Sequence, residues 1–134
     1  VIAMVAEVTV SGDYDVTLDK VTAVVDAGTL IHPDQALAQM QSTINFGQGA
    51  GMLSEITIKN GGVEQNNFDT FRIARMNEAP KVLDIHFIKS DAVPGGLGEP
   101  GTAVIVPAIG NAIFAACGKR CRTIPFTPEH IKGA

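Results

Sequence analysis

Val93-Pro94-Gly95-Gly96-Leu97-Gly98-Glu99-Pro100-Gly101-Thr102 runs directly into Ala103 to Cys117, AVIVPAIGNAIFAAC. Four glycines and two prolines in the first ten residues describe a loop whose backbone can come close to another molecule, with Glu99 as its single ionisable side chain. In the second segment Ile105, Ile109, Ala112, Ile113 and Ala116 recur at helical spacing, which predicts a buried helix. The loop therefore carries a carboxylate to a helix start. Unpaired N–H groups and the positive dipole end favour an ionised acid there, so Glu99 suits a base or a cation ligand. Capping the helix is the plainer role for the same side chain.

Working outward, Val82 to Ile88 alternates and predicts a strand that leads through Lys89 to Ala92 into the loop. At the other end of the chain, Ile2 to Val10 and Val16 to Val25 are rich in β-branched residues and flank the turn Ser11-Gly12-Asp13. They predict a hairpin of a half-buried sheet, with Val16, Leu18 and Val21 facing inward. Asp26-Ala27-Gly28 stops the second strand, and Pro33 and Asp34 open a helix over Gln35 to Met52 whose apolar positions are Leu37, Met40, Ile44 and Phe46 to Gly47. Gly47, Gly49 and Gly51 cost that helix about 1 kcal/mol each relative to Ala, so another element or a ligand is expected to come close to it. Gln35, Gln39, Gln41 and Gln48 place amides along it that suit a multiply hydrogen-bonding ligand, or a solvated face.

Asn60-Gly61-Gly62 predicts a hairpin turn between strands over Ser54 to Lys59 and Val63 to Gln65. Asn66 to Ala79 lacks a clean period and reads as irregular, with Arg72 and Arg75 suited to hold anions or, as the plainer role, to pair with Asp69 and Glu78 at the surface. After the second helix, Gly118 is the expected C-cap and Lys119, Arg120 and Arg122 complement the negative helix end. Thr123 to Phe126 reads as extended, and Thr127 to Ala134 as a surface tail.

At 134 residues and 46% hydrophobic content the chain can fill the core of one domain or of part of one. A net charge of −4, with basic residues scattered outside 119–122, excludes a nucleic-acid surface. No apolar run approaches the roughly 20 residues of a bilayer span. Cys117 and Cys121 make neither a disulfide framework nor, with His130 nearby, a zinc site, because one C-x-x-x-C pair lacks a second ligand pair. His32, His86 and His130 are far apart in sequence. Gly96 to Gly101 satisfies G-x-G-x-x-G, but a proline sits inside the motif and no second strand follows the helix, which argues against a dinucleotide fold. No nucleophile elbow is present.

The run Gly95-Gly96-Leu97-Gly98-Glu99-Pro100, followed by Val106 to Ala116 and Gly118-Lys119-Arg120, closely resembles the C-terminal end of the molybdopterin-binding subunit of the xanthine dehydrogenase and aldehyde oxidase family. Val25 to Gly28, His32-Pro33-Asp34, Gln39-Met40, Phe46-Gly47 and Glu55-Ile56 fall in the same order and approximate spacing. The branch it is most similar to contains the isoquinoline 1-oxidoreductase β subunit and membrane-associated bacterial aldehyde dehydrogenases. The resemblance implies that Glu99 is the active-site base, taking a proton from a hydroxyl that attacks an electron-poor carbon. It implies further that Gly96, Leu97 and Gly98 lie at the cofactor, and that Gln39 helps to hold the pterin. Gln41-Ser42-Thr43 stands where many relatives have Glu-Gly-Gly.

The expectation is therefore an α+β fold with a mixed sheet and at least two packed helices. Residues 1–134 form the C-terminal segment of a molybdopterin-binding domain that is incomplete without partner segments. The implied cofactor is molybdopterin in its cytosine dinucleotide form. The implied partners are the remaining part of the subunit, an iron–sulfur subunit and a cytochrome c acceptor, and members of the branch are often exported to the periplasm. A cofactor-free structural or binding module that keeps the scaffold is the alternative from another class.

Overall fold

In the computed structural model, which describes residues 1–134, Ile2–Val10 (β1) and Val16–Val25 (β2) pair antiparallel, from Ile2 against Val25 to Val10 against Val16. Both strands end where alternation and the Ser11-Gly12-Asp13 turn predicted. The ladder carries one bulge: Glu7 opposes Lys20 and Val8 opposes Leu18, which leaves Asp19 over. An extra residue flips the inward parity, so Leu18 faces the core before the bulge and Val21, Ala23 and Val25 after it. Asp19 turns outward, where its carboxylate accepts from Lys81 Nζ at 2.6 Å and from Thr9 Oγ1 at 2.6 Å. Those bonds, Lys81's first, hold its carboxyl below the ordinary range.

Val82–Phe87 (β5) lies parallel to β2, with Lys20 against Val82 through Val25 against Phe87. The sheet order is β1-β2-β5, mixed as expected, and the parallel pair requires the long crossover that holds the first helix. Between them a second, two-stranded sheet pairs Ile58–Lys59 (β3) with Gly62–Val63 (β4). Its turn is the predicted one, with Asn60 and Gly61 at positive φ. The strands shrink to two residues each because neither face is covered, Ile58 being 73% exposed.

Pro33–Met52 (α1) is opened by Pro33 at its first position and capped by His32, whose Nδ1 accepts from the Gln35 N–H at 3.3 Å. Pro100–Cys117 (α2) starts three residues before the predicted Ala103, because Pro100 suits a first helical position where no N–H is needed, and Gly118 ends it in the left-handed conformation. By length and hydropathy α2 could cross a membrane, contrary to the reading of the sequence alone. Here it is a core helix against β1 and α1, with Ile105, Ile109 and Ile113 fully buried. Pro128–Lys132 (α3) corrects the expected surface tail: Thr127 caps it through the His130 N–H, and Ile131 and Phe126 are buried in the main core.

That core joins Leu18, Val21 and Ala23 of the sheet to Ile44 of α1 and the three isoleucines of α2. A smaller cluster of Val25, Ala27 and Met40 sits toward the glycine loop and takes Leu97 against it. Two predicted inward positions of α1 face out, Phe46 at 74% and Leu37 at 37% exposure. α2 presses too closely on α1 to admit a ring. A Cβ on Gly47 would come within 2.9 Å of Thr102 Cα, and one on Gly101 would strike the Thr43 side chain. Gly47 thus serves a close approach of the α2 backbone, whereas Gly51 faces the Val106 side chain and a Cβ on Gly49 would meet nothing nearer than 3.8 Å.

Candidate functional site at the glycine loop

The loop is strapped to the end of β2 before it reaches α2. Thr29 N–H and Oγ1 both donate to Ala92 O, at 2.9 and 3.0 Å, and Gly95 N–H donates to Ala27 O at 2.8 Å. Gly28 makes this possible. Its φ is +71°, and a Cβ there would meet Ala92 O at 2.8 Å. Leu97 then anchors in the Val25, Ala27 and Met40 cluster. Gly96 and Gly98 stay open, since a Cβ on either would meet nothing within 4 Å.

Glu99 is the N-cap residue of α2, yet its side chain makes no capping hydrogen bond. The first-turn contact is made by backbone instead, Thr102 N–H donating to Glu99 O at 3.0 Å. The plainer role expected for Glu99 is therefore not the one its side chain takes. Its carboxylate is exposed on a groove of about 560 Å³ between α1 and the start of α2. Gln39 reaches the same groove and donates through Nε2 to Gly98 O at 3.5 Å, so two residues 60 positions apart face each other across it. The wall is held in place by Thr102 Oγ1, which donates to Thr43 O at 3.1 Å.

The expected row of amides divides. Gln39 lines the groove, whereas Gln48 is 1% exposed and donates through Nε2 to the Glu78 carbonyl; Gln35 and Gln41 are exposed. Ser42, Thr43, Phe46 and Ala50 complete the α1 wall, and sequence reading did not single them out as a site. Their intervals of three and four residues from Gln39 were the available signal. The histidines stay apart: His32 caps α1, His86 Nε2 lies 2.8 Å from Asp84 Oδ1, and His130 Nδ1 lies 2.7 Å from Pro125 O. Cys117 and Cys121 are free thiols.

No three His, Cys, Asp or Glu side chains converge, so these residues offer a metal no direct ligand set. They do fit a pterin-type cofactor. Such a group presents amide-like donors and acceptors, and the groove answers with the Gln39 carboxamide, unblocked backbone at Gly96 and Gly98, and a carboxylate with no capping bond of its own.

An acid on a glycine loop thus shares a groove with a helical amide, at a helix crossing open on one side. The chain belongs to the molybdopterin cofactor-binding domain family, whose model matches residues 1–80. It is 42% identical over 116 residues to membrane-bound aldehyde dehydrogenase [pyrroloquinoline-quinone] of Gluconacetobacter polyoxogenes, covering 87% of this chain and 15% of that protein. To isoquinoline 1-oxidoreductase subunit beta of Brevundimonas diminuta it is 27% identical over 128 residues, covering 95% and 16%. Among solved structures, aldehyde oxidoreductase from Desulfovibrio gigas superposes with a TM-score of 0.81 at 26% identity, covering 96% of this chain and 15% of that one. The chain thus spans about one sixth of the length of these relatives.

Proposed function

We propose that this chain is the part of a molybdenum hydroxylase or aldehyde dehydrogenase subunit that supplies the active-site base, Glu99, and one wall of the cofactor groove. The reaction is oxidation of an aldehyde or an N-heteroaromatic ring with oxygen derived from water. The observation that carries this reading is the Glu99 carboxylate, placed at the start of α2 but engaged in no capping bond, on the groove that Gln39 also lines.

When bound, molybdopterin, in its cytosine dinucleotide form, supplies the two-electron oxidant. This chain's residues position and deprotonate. The carboxamide of Gln39 binds the pterin, while Gly96 and Gly98, free of side chains, let the loop backbone approach it and Leu97 holds the loop on the core. Glu99 accepts the proton of the attacking hydroxyl at a carboxylate oxygen and passes it to solvent, which reaches it in this chain. The remaining part of the subunit closes the groove, and an iron–sulfur subunit and a cytochrome c carry the electrons away. The pyrroloquinoline quinone in one relative's name is a different group. Elemental analysis for molybdenum separates the two cofactors, and a metal-free, solitary native chain would favour the scaffold role.

The test is Glu99→Gln in the assembled enzyme. Turnover is expected to fall by about 10²–10⁴-fold, the usual contribution of a general base, with molybdenum content unchanged. Retained turnover would sink the assignment of the base.

A further inference from the structure

Glu99 stands between two anchors of its own chain. Leu97 is seated in the Val25, Ala27 and Met40 cluster, and Ile105 is the first side chain of α2 buried in the main core. The residues between them, Gly98 to Val104, contribute nothing to either cluster. The carboxylate does not secure this turn, because Glu99 makes no capping bond. Thr102 does. Its N–H donates to Glu99 O at 3.0 Å, and its Oγ1 donates to Thr43 O at 3.1 Å. Around it the two helices touch: a Cβ on Gly47 would lie 2.7 Å from Thr102 O, and one on Gly101 would strike the Thr43 side chain. Such contact limits how near the helices come, yet it leaves them free to slide past one another. A hydrogen bond stops the sliding, because it holds only within a narrow range of distance and angle.

These bonds close a ring. From Glu99 O it runs through the Thr102 N–H and hydroxyl to Thr43 O, along one turn of α1 to Gln39, and from Gln39 Nε2 to the carbonyl of Gly98, the residue before Glu99. Two of its links are made by side chains between the loop or α2 and α1. The link from Gln39 is 3.5 Å long, at the limit of a hydrogen bond, and a Gln39 that binds the pterin turns its carboxamide away to the cofactor. Thr102 is then the side chain left to hold the turn. We propose that Thr102 is the positioning residue of Glu99: its hydroxyl fixes the register of the first turn of α2 on α1, and with it the place of the Glu99 carboxylate relative to Gln39. The proposal rests on the reading of Glu99 as the base, and it adds what aims that base.

Thr102→Val keeps the shape and removes the hydroxyl, whereas Thr102→Ser keeps the hydroxyl; both are tested in the large subunit that carries this chain. In Thr102→Val, kcat per bound molybdenum is expected to fall by about tenfold or more, a misplacement of about 1 Å costing about 10²-fold, with KM held within about twofold. Thr102→Ser is expected to restore most of kcat. Hydrogen–deuterium exchange adds a readout that needs no turnover. The amides of residues 102–104 are expected to exchange about fivefold faster in Thr102→Val, the worth of one hydrogen bond, and at the native rate in Thr102→Ser. Native kcat in Thr102→Val would overturn the proposal, whether or not exchange quickens, and so would unchanged exchange. A fall in kcat that Thr102→Ser shares would overturn it too, since the methyl group and not the hydroxyl would then be the working part, as would a rise of KM in place of the fall in kcat. Loss of turnover in Glu99→Gln beside native kcat in Thr102→Val would leave the base standing and remove this proposal alone. Retained turnover in Glu99→Gln would remove both.

Discussion

The two faces of α1 are built on opposite terms. Its inner face is closed: Met40 and Ile44 have no exposure, Gln48 has 1%, and Gly47 and Gly51 lie against the first two turns of α2. Its outer face is open: Leu37 is partly exposed, and Gln39, Phe46 and Ala50 are presented to grooves that nothing in the chain covers. Hydrophobicity does not separate the two. The most apolar ring of the helix points out while Gly47 and Gly51 point in, because at those two positions α2 comes so close that a Cβ would press on Thr102, Ile105 or Val106. Close packing, and not apolar content, marks the side of this helix that makes the fold. The other side is left apolar and uncovered by anything in this chain.

The contrast breaks most plainly if a cut on the open face costs as much as one on the closed face. Ile44→Ala removes a fully buried side chain from the main core and is expected to cost about 2–5 kcal/mol. Phe46→Ser removes a larger one but should change stability of the isolated chain by only about 0.5 kcal/mol, since the ring is exposed. Urea unfolding of the two variants decides. A Phe46→Ser loss as large as that of Ile44→Ala would mean that the outer face is folded against something within this chain.

The glycines of α1, and Gly101 of α2 opposite, sharpen the comparison further. An alanine at any of them gains up to about 1 kcal/mol of helix propensity, so the sign of the net effect reports the space available. At Gly47 a new Cβ meets the buried Ile105 side chain first and then backbone, Thr102 O at 2.7 Å and Thr102 Cα at 2.9 Å, and Gly47→Ala is expected to cost about 1–3 kcal/mol. At Gly49 the nearest atom is 3.8 Å away, and Gly49→Ala should stabilise. Gly101→Ala meets a side chain, Thr43, which can be trimmed. Thr43→Ala is therefore expected to recover part of the loss in a double-mutant cycle, with a coupling of about 0.5–3 kcal/mol. Thermal unfolding of the four single variants and the Gly101→Ala/Thr43→Ala double variant measures all of this, and a stabilised Gly47→Ala would show that the helices can part without penalty.

The same distinction explains what could be read from the sequence. Strands β1 and β2, the Asn60-Gly61 turn and the Gly118 cap were legible because each depends on neighbours in the chain: alternation, positive φ, a helix end. The mixed α+β architecture followed from them. Phe46 was read inward because period alone cannot tell how near a second helix lies. The last residues were read as a tail because the space that Ile131 and Phe126 fill exists only once α2 and the sheet are in place. At the site, Glu99 was conspicuous as the one charge in a glycine loop, and Gln39 came with the family resemblance. Their shared groove was not legible, because it depends on the angle at which two helices cross. The place of Thr43 was not legible either: it is buried in the seam, its carbonyl tied by Thr102.

The smallest expected effect lies at the rim of the outer face, where the irregular 66–79 stretch is fastened to α1. Gln48 donates to the carbonyl of Glu78, which closes a 3₁₀ turn at Met76–Glu78, while the Glu78 carboxylate accepts from the Arg75 N–H at 2.9 Å and pairs with the Arg72 guanidinium. The Arg75 N–H, foremost, and then Arg72 hold the Glu78 carboxyl below its ordinary value of 4.5. A carboxyl whose folded pKa is depressed adds stability above its unfolded value and loses it as pH falls through the folded one. The stability difference between the native chain and Glu78→Gln should therefore be steady from neutrality down to the ordinary value of 4.5, and shrink below it. The pair is partly exposed, so the difference is small and added salt should reduce the Arg72 share. Urea titrations of both proteins at a series of pH values measure it. A difference that grows on acidification would mean that Glu78 is held by burial instead of by its donors.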